Sequence, residues 1–130
     1  MKGKLVGMVL FIGMLTGIAS AYDNLSAVQF KNKLERTKDA ILLDVRTPEE
    51  YMNDGHIPNA NLIPLQMFEY IFLGGKGIKD KPVFVYCKSG RRSAKASEML
   101  EKMGVKQVYN LSTGFMGWKS HGFPVEYGRK

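Results

Sequence analysis

The chain is poor in the residues that carry redox, metal and cross-linking chemistry. Its 130 residues hold one cysteine, two histidines and one tryptophan. A single cysteine, Cys87, excludes an intramolecular disulfide and leaves no resolving thiol for a dithiol oxidoreductase. His56, His121 and that lone cysteine show no metal-ligand spacing, so neither a metal nor a cofactor is expected. The formal charge is +7, yet the lysines are scattered and no basic stripe interleaves with aromatics, which argues against nucleic acid. Internal repeats, low-complexity segments and linkers are absent, so one domain is expected. Long apolar runs are absent too, with one exception at the start.

That exception is residues 5–18, apolar apart from Gly and Thr, preceded by Lys2 and Lys4 and followed by Ala19-Ser20-Ala21. A basic n-region, an apolar h-region and a small-x-small site predict a secretory signal peptide over residues 1–21, cleaved after Ala21. The alternative, an uncleaved anchor, needs about 20 apolar residues. A lipoprotein is excluded because no cysteine adjoins the cleavage point. The expected product is a periplasmic or secreted domain, residues 22–130, whose only membrane contact is the signal peptide during export.

What remains alternates short apolar runs with helical patterns. Ser26 and Gln29 form a capping box, with Leu25 placed to staple onto Phe30, and predict a helix to about Arg36 that buries Phe30 and Leu34. Residues 40–46 read as a strand buried on both faces. Thr47, Pro48 and Glu50 supply N-cap, N1 and reciprocal N3 partner for a short helix to about Asn53. Residues 61–65 read as a short edge strand, because Pro64 removes a ladder donor. Residues 66–72 predict a helix with Met67, Tyr70 and Ile71 on its buried face. Residues 82–86 and 107–111 are strands. Residues 93–103 predict a helix burying Ala96, Met99, Leu100 and Met103, and residues 115–120 a last short helix. Alternating strands and helices imply right-handed crossovers and a parallel sheet covered on both faces. Ligand sites in such sheets lie at the C-terminal strand ends, where Asp44-Val45-Arg46 and Cys87 both fall.

The chemistry concentrates in Cys87-Lys88-Ser89-Gly90-Arg91-Arg92-Ser93. Only a thiolate is a useful nucleophile, and a helix N-terminus with nearby cations favours that form. The flanking Lys88, Gly90, Arg91 and Arg92 predict an exposed reactive thiol rather than a buried small hydrophobe. His56 reads as a hydrogen-bonded structural histidine and His121 as an exposed one. Phe115 and Trp118 read as core.

Taken with Asp44-Val45-Arg46, Gly55-His56-Ile57-Pro58-Asn59-Ala60 and the run from Gly114 through Trp118 to Val125, this loop resembles the rhodanese family of sulfurtransferases, in its single-domain exported form. The resemblance implies a three-layer α/β fold with a mainly parallel sheet of about five strands. It implies that Cys87 takes sulfane sulfur from a small anionic donor such as thiosulfate and passes it as a persulfide to cyanide or a thiol. Arg92 and the loop amides of Lys88 to Ser93 would stabilise the anion, Lys88 and Arg91 would recruit the donor, and Asp44 and Arg46 would support the loop by ion pairing. Four residues separate Cys87 from Arg92; the related cysteine phosphatases use five, so phosphatase chemistry is the weaker enzyme reading. The other reading is a slow-turnover persulfide carrier that docks a protein sulfur acceptor. An exposed apolar patch would mark it, and residues 67–72 are the segment in which to seek one. Two departures from the family pattern stand out: Lys88 where Arg is common, and Thr113 in place of the first glycine of a Gly-Gly pair.

Overall fold

Five short apolar runs become five strands, and what lies between them decides their order. The computed structural model of the chain describes residues 22–128; the expected signal peptide, residues 1–21, lies outside them. In chain order the elements are β1 (Asp23–Leu25), α1 (Ala27–Arg36), β2 (Ile41–Asp44), a π-helical turn (Glu50–Asp54), β3 (Asn61–Leu62), a 3-10 turn (Leu65–Met67), α2 (Phe68–Phe72), β4 (Pro82–Tyr86), α3 (Arg91–Lys102), β5 (Gln107–Leu111) and α4 (Gly114–Ser120). The sheet is wholly parallel in the order β1-β5-β4-β2-β3. Asp44 lies opposite Tyr86, and Phe84 opposite Tyr109. This is the expected α/β sandwich.

Strand alternation sorts the core into two layers. Leu42, Phe84, Tyr86, Tyr109 and Leu111 face α1 and α4, where Phe30, Phe115 and Trp118 meet them. Leu43, Val83, Val85 and Val108 face the other way, onto Phe68 of α2 and Ala96 and Leu100 of α3. Rings dominate the first layer: Phe30 stands edge-on to both Phe84 and Trp118. The second layer is mainly aliphatic around Phe68.

Local signals account for most boundaries. The Ser26 cap is closed in both directions, Gln29 N–H to Ser26 Oγ at 3.1 Å and Ser26 N–H to Gln29 Oε1 at 2.9 Å. The Thr47 and Glu50 box forms as well, at 2.9 and 3.2 Å. The segment it opens winds into a π turn rather than an α-helix, with Tyr51 buried and its hydroxyl donating to Ala60 O. β1 is the element the sequence does not announce. Three residues carry no periodicity; β1 exists because β5 offers an edge, and Asn110 Nδ2 donates to Asn24 Oδ1 at 2.8 Å.

The helix expected over residues 66–72 keeps its place but not its buried face. Phe68 is fully buried and Phe72 half-buried, whereas Met67, Tyr70 and Ile71 are 43%, 78% and 41% exposed. Met67 lies in a 3-10 turn, Leu65–Met67, before the α-helix begins at Phe68, and within that helix Phe68 and Phe72, four residues apart, share the inward face. Phe68, wedged beside the sheet and edge-on to Phe72 at 5.1 Å, then sets the orientation.

Candidate active site

β4 delivers Val83, Val85 and Cys87 to one face, and the sulfur therefore points inward. Cys87 is 1% exposed. The expected exposed thiol is corrected: Lys88, Ser89 and Arg91 stand in solvent, while the sulfur lies beneath its own loop. Polar loop composition predicts an exposed backbone, but the two-residue alternation through Val83 and Val85 already assigned the side chain to the core.

The loop is curled so that amides face the sulfur. Sγ accepts from Gly90 N–H at 3.1 Å, Ser93 N–H at 3.3 Å and the Ser93 hydroxyl at 3.4 Å. The outward carbonyls are taken up by α4, whose first turn has free amides: Phe115 N–H donates to Cys87 O at 2.8 Å and Met116 N–H to Lys88 O at 3.1 Å. Two glycines make this approach possible. Gly90 (φ 100°) opens α3, and a Cβ on it would collide with the Ser112 carbonyl; one on Gly114 (φ 65°) would strike the Lys88 carbonyl. Thr113, the departure from Gly-Gly, lays its hydroxyl against Gly117, where a Cβ would collide. Burial pushes the Cys87 thiol up, but hydrogen bonds from the Ser93 hydroxyl and the amides of Ser93, Gly90 and Ser89 outweigh it, and the net shift is downward. The loop's donors favour the thiolate more than burial disfavours it.

The cations around it divide into two kinds. Lys88 and Arg91 are exposed, and among the described residues neither is in an ion pair. Arg92, expected to hold the bound anion, gives its fork to Glu50: Nη1 to Oε1 at 2.8 Å and Nη2 to Oε2 at 2.9 Å. Arg92 holds Glu50 well below the usual carboxylate range, at about 2, against the opposing effect of burial.

Asp44 and Arg46 form the expected pair, deep in the fold at 0% and 1% exposure. Arg46 Nε donates to Asp44 Oδ1 at 2.9 Å and Nη2 to Oδ2 at 2.7 Å. Nη2 also reaches Gly55 O at 2.7 Å, and the guanidinium lies 4.4 Å over the Phe115 ring. This pair ties β2 to the connection before β3 and to α4, rather than touching the sulfur. His56 is likewise structural: buried, stacked 3.8 Å on Tyr51, and bonded through its ring nitrogens to Ile57 O and Gly128 O. His121 is exposed. Among the described residues no cluster of His, Cys, Asp or Glu could hold a metal ion. A cavity of about 520 Å³ lined by Leu34, Leu42, Pro58 and Trp118 includes no residue of the cysteine loop, and its Thr37, Asp39 and Ala40 place it at the N-terminal sheet edge.

Glu50 is the site residue that sequence reasoning recognised only as a helix cap. Its second role needs Arg92, 42 positions away, and no local signal records that pairing.

The order of elements, the buried Asp44 and Arg46 pair and the amide-lined cysteine loop define a class, and sequence comparison assigns it. Residues 26–121 match the rhodanese-like domain, and the chain belongs to that family. A sulfurtransferase of Allochromatium vinosum is 35% identical over 108 residues, covering 79% of this chain and 94% of that protein. Thiosulfate sulfurtransferase GlpE of Coxiella burnetii is 37% identical over 89 residues, covering 68% and 80%. Among solved structures, a rhodanese-like domain protein from Staphylococcus aureus superposes with a TM-score of 0.69 at 33% identity, covering 82% of this chain and 99% of that one.

Proposed function

We propose that the chain is a sulfurtransferase that carries sulfane sulfur on Cys87. The observation that bears most weight is the thiolate cradle, in which Gly90 N–H, Ser93 N–H and the Ser93 hydroxyl all aim at Sγ. With thiosulfate as donor, the Cys87 thiolate attacks the outer sulfur. A new S–S bond forms, the donor S–S bond breaks, and sulfite leaves with the electron pair. Cyanide or a thiolate then attacks the outer persulfide sulfur and returns Cys87 as thiolate, so no net oxidant is consumed. Two half-reactions through a covalent enzyme predict ping-pong kinetics. The loop amides bind the anionic persulfide, and the exposed Lys88 and Arg91 draw in the donor. If the thiolate is already formed at neutral pH, no general base is needed, and the chemistry needs no cofactor. The signal peptide read in residues 1–21 supports a periplasmic or secreted site of action.

Intact mass and thiocyanate release on residues 22–130, after thiosulfate and then cyanide, test this reading, with Cys87→Ser as control. The expected result is a gain of one sulfur that cyanide discharges with rapid turnover. No adduct on the wild-type chain would sink the proposal.

A second reading has its own observation. Met67, Tyr70, Ile71 and Leu73 are all exposed, an apolar group on the segment that follows β3. That is the mark expected of a carrier that docks a protein sulfur acceptor, and a stable sulfur adduct with negligible turnover would favour it.

A further inference from the structure

One carboxylate serves both ends of the site. Glu50 Oε1 accepts from Thr47 N–H at 2.9 Å and from the Thr47 hydroxyl at 3.2 Å, closing the cap of the π turn. The same carboxylate accepts both arms of the Arg92 fork. A bidentate arginine–carboxylate pair is held in geometry as well as in energy. The last cation of the cysteine loop is therefore turned toward the π turn, and its charge is balanced there. The sulfur's hydrogen bonds come instead from neutral donors. Lys88 and Arg91 are left as the unbalanced charges at the rim. The pair itself is only partly exposed, at 36% for Arg92 and 20% for Glu50, so its field reaches the site without full solvent screening.

We infer that Glu50 is a positioning residue that acts through Arg92, holding the guanidinium out of the donor's field and thereby setting how strongly the site prefers donors of higher negative charge. The inference rests on the sulfurtransferase reading. Its physical content is a charge law. Coulomb energy scales with the charge of the ligand, so releasing one cation toward the site must favour a dianion twice as much in free energy as a monoanion. In fold-changes, the effect on thiosulfate is the square of the effect on a singly charged organic thiosulfonate.

Glu50→Gln is the variant to make, because glutamine keeps an acceptor for the Thr47 cap and serves equally as an N3 partner. It removes the charge and one of the two acceptors that hold Arg92. The KM for thiosulfate is expected to fall about tenfold and that for the thiosulfonate about threefold, with kcat moving less than KM. Both effects shrink in molar salt. In an Arg92→Met background the same substitution removes only Glu50's own charge, and the thiosulfate effect drops to about threefold.

A second readout does not depend on turnover. The Cys87 thiolate is titrated by its ultraviolet absorbance; the charged groups of its surroundings are Lys88 and Arg91 on the same loop and α3, exposed to solvent, and Arg92, which interacts with Cys87, Glu50 and Asp44. Releasing Arg92 lowers the thiolate midpoint, and Arg92→Met raises it. If wild-type protein makes no thiocyanate, the sulfurtransferase reading fails on that observation, and the thiolate midpoints still test the coupling. Equal fold-changes for the two donors would overturn the inference. So would an unchanged thiolate midpoint, or a Glu50→Gln effect that is the same with and without Arg92.

Discussion

Two arginine–carboxylate pairs stand within the same fold, and they are built to opposite specifications. Asp44 and Arg46 sit on either side of Val45 and are sealed from solvent. Glu50 and Arg92 come from distant parts of the chain and meet at a partly exposed rim. The first pair is closely held: Nε and Nη2 of Arg46 both reach Asp44, Nη2 also reaches Gly55 O, and the Phe115 ring lies against the guanidinium. Such a pair holds β2, the segment before β3 and α4 together, and its charges are too enclosed to meet a substrate. The second pair keeps enough solvent contact to exchange partners. Burial turns an ion pair into a brace, and partial exposure leaves it available for function.

The sharpest way to break the comparison is to remove one arm of the buried pair. Arg46→Met leaves the Asp44 carboxylate buried without its partner and is expected to cost about 3–5 kcal/mol, read as a loss of urea-unfolding stability. If the loss is under 1 kcal/mol, the brace is not a brace. Arg46→Lys should recover little of it, since one ammonium cannot reproduce the fork and the contact to Gly55 O.

The rim is next. Replacing Lys88 and Arg91 together with alanine should raise the thiosulfate KM about tenfold at low salt, and the difference should fade in molar salt. An effect that ignores salt would mean that these side chains act by contact rather than by field.

Neither pair touches the sulfur, and Ser93 tests that claim. Ser93→Ala removes the hydroxyl that donates to Sγ and should raise the thiolate midpoint and slow alkylation by iodoacetamide near neutral pH by about tenfold, the worth of one hydrogen bond to a charged group. The sign follows from the linkage. The folded thiol titrates below its unfolded value, so its contribution to stability is present above the unfolded value and is lost as pH falls through the folded one. A midpoint unmoved by this substitution would show that the amides alone hold the thiolate.

The smaller effect on stability is at Glu50. Its carboxylate is lowered from 4.5 to about 2, so its contribution is present above pH 4.5 and disappears as pH falls toward 2. Glu50→Gln should cost about 1–2 kcal/mol at neutral pH, more than a fully exposed pair because this one is only partly exposed, and should flatten the stability curve between those two values. A loss at pH 6 as large as that of Arg46→Met would erase the distinction between the pairs.

Legibility followed the range of the signal. The caps at Ser26 and Thr47, the apolar runs of β2, β4 and β5, and the glycines around Cys87 are written within a few residues of where they act. β1 was invisible because three residues become a strand only when β5 lies beside them. Helical spacing in α2 offers two possible inward faces, and only packing of Phe68 on the sheet chooses between them. The polar composition of the cysteine loop points outward, while the alternation carried in from Val83 and Val85 puts the sulfur in the core.

By itself, then, the sequence determined the α/β layering, the position of the nucleophile and the charge of its loop, since each depends on period, caps and residue type along one stretch of chain. Tertiary structure alone decided where the charges went. It sank the sulfur under the loop, enclosed Arg46 and gave Arg92 to Glu50. Those outcomes depend on which groups remote in sequence meet at one strand edge, and a desolvated charge must accept the partner that packing brings to it.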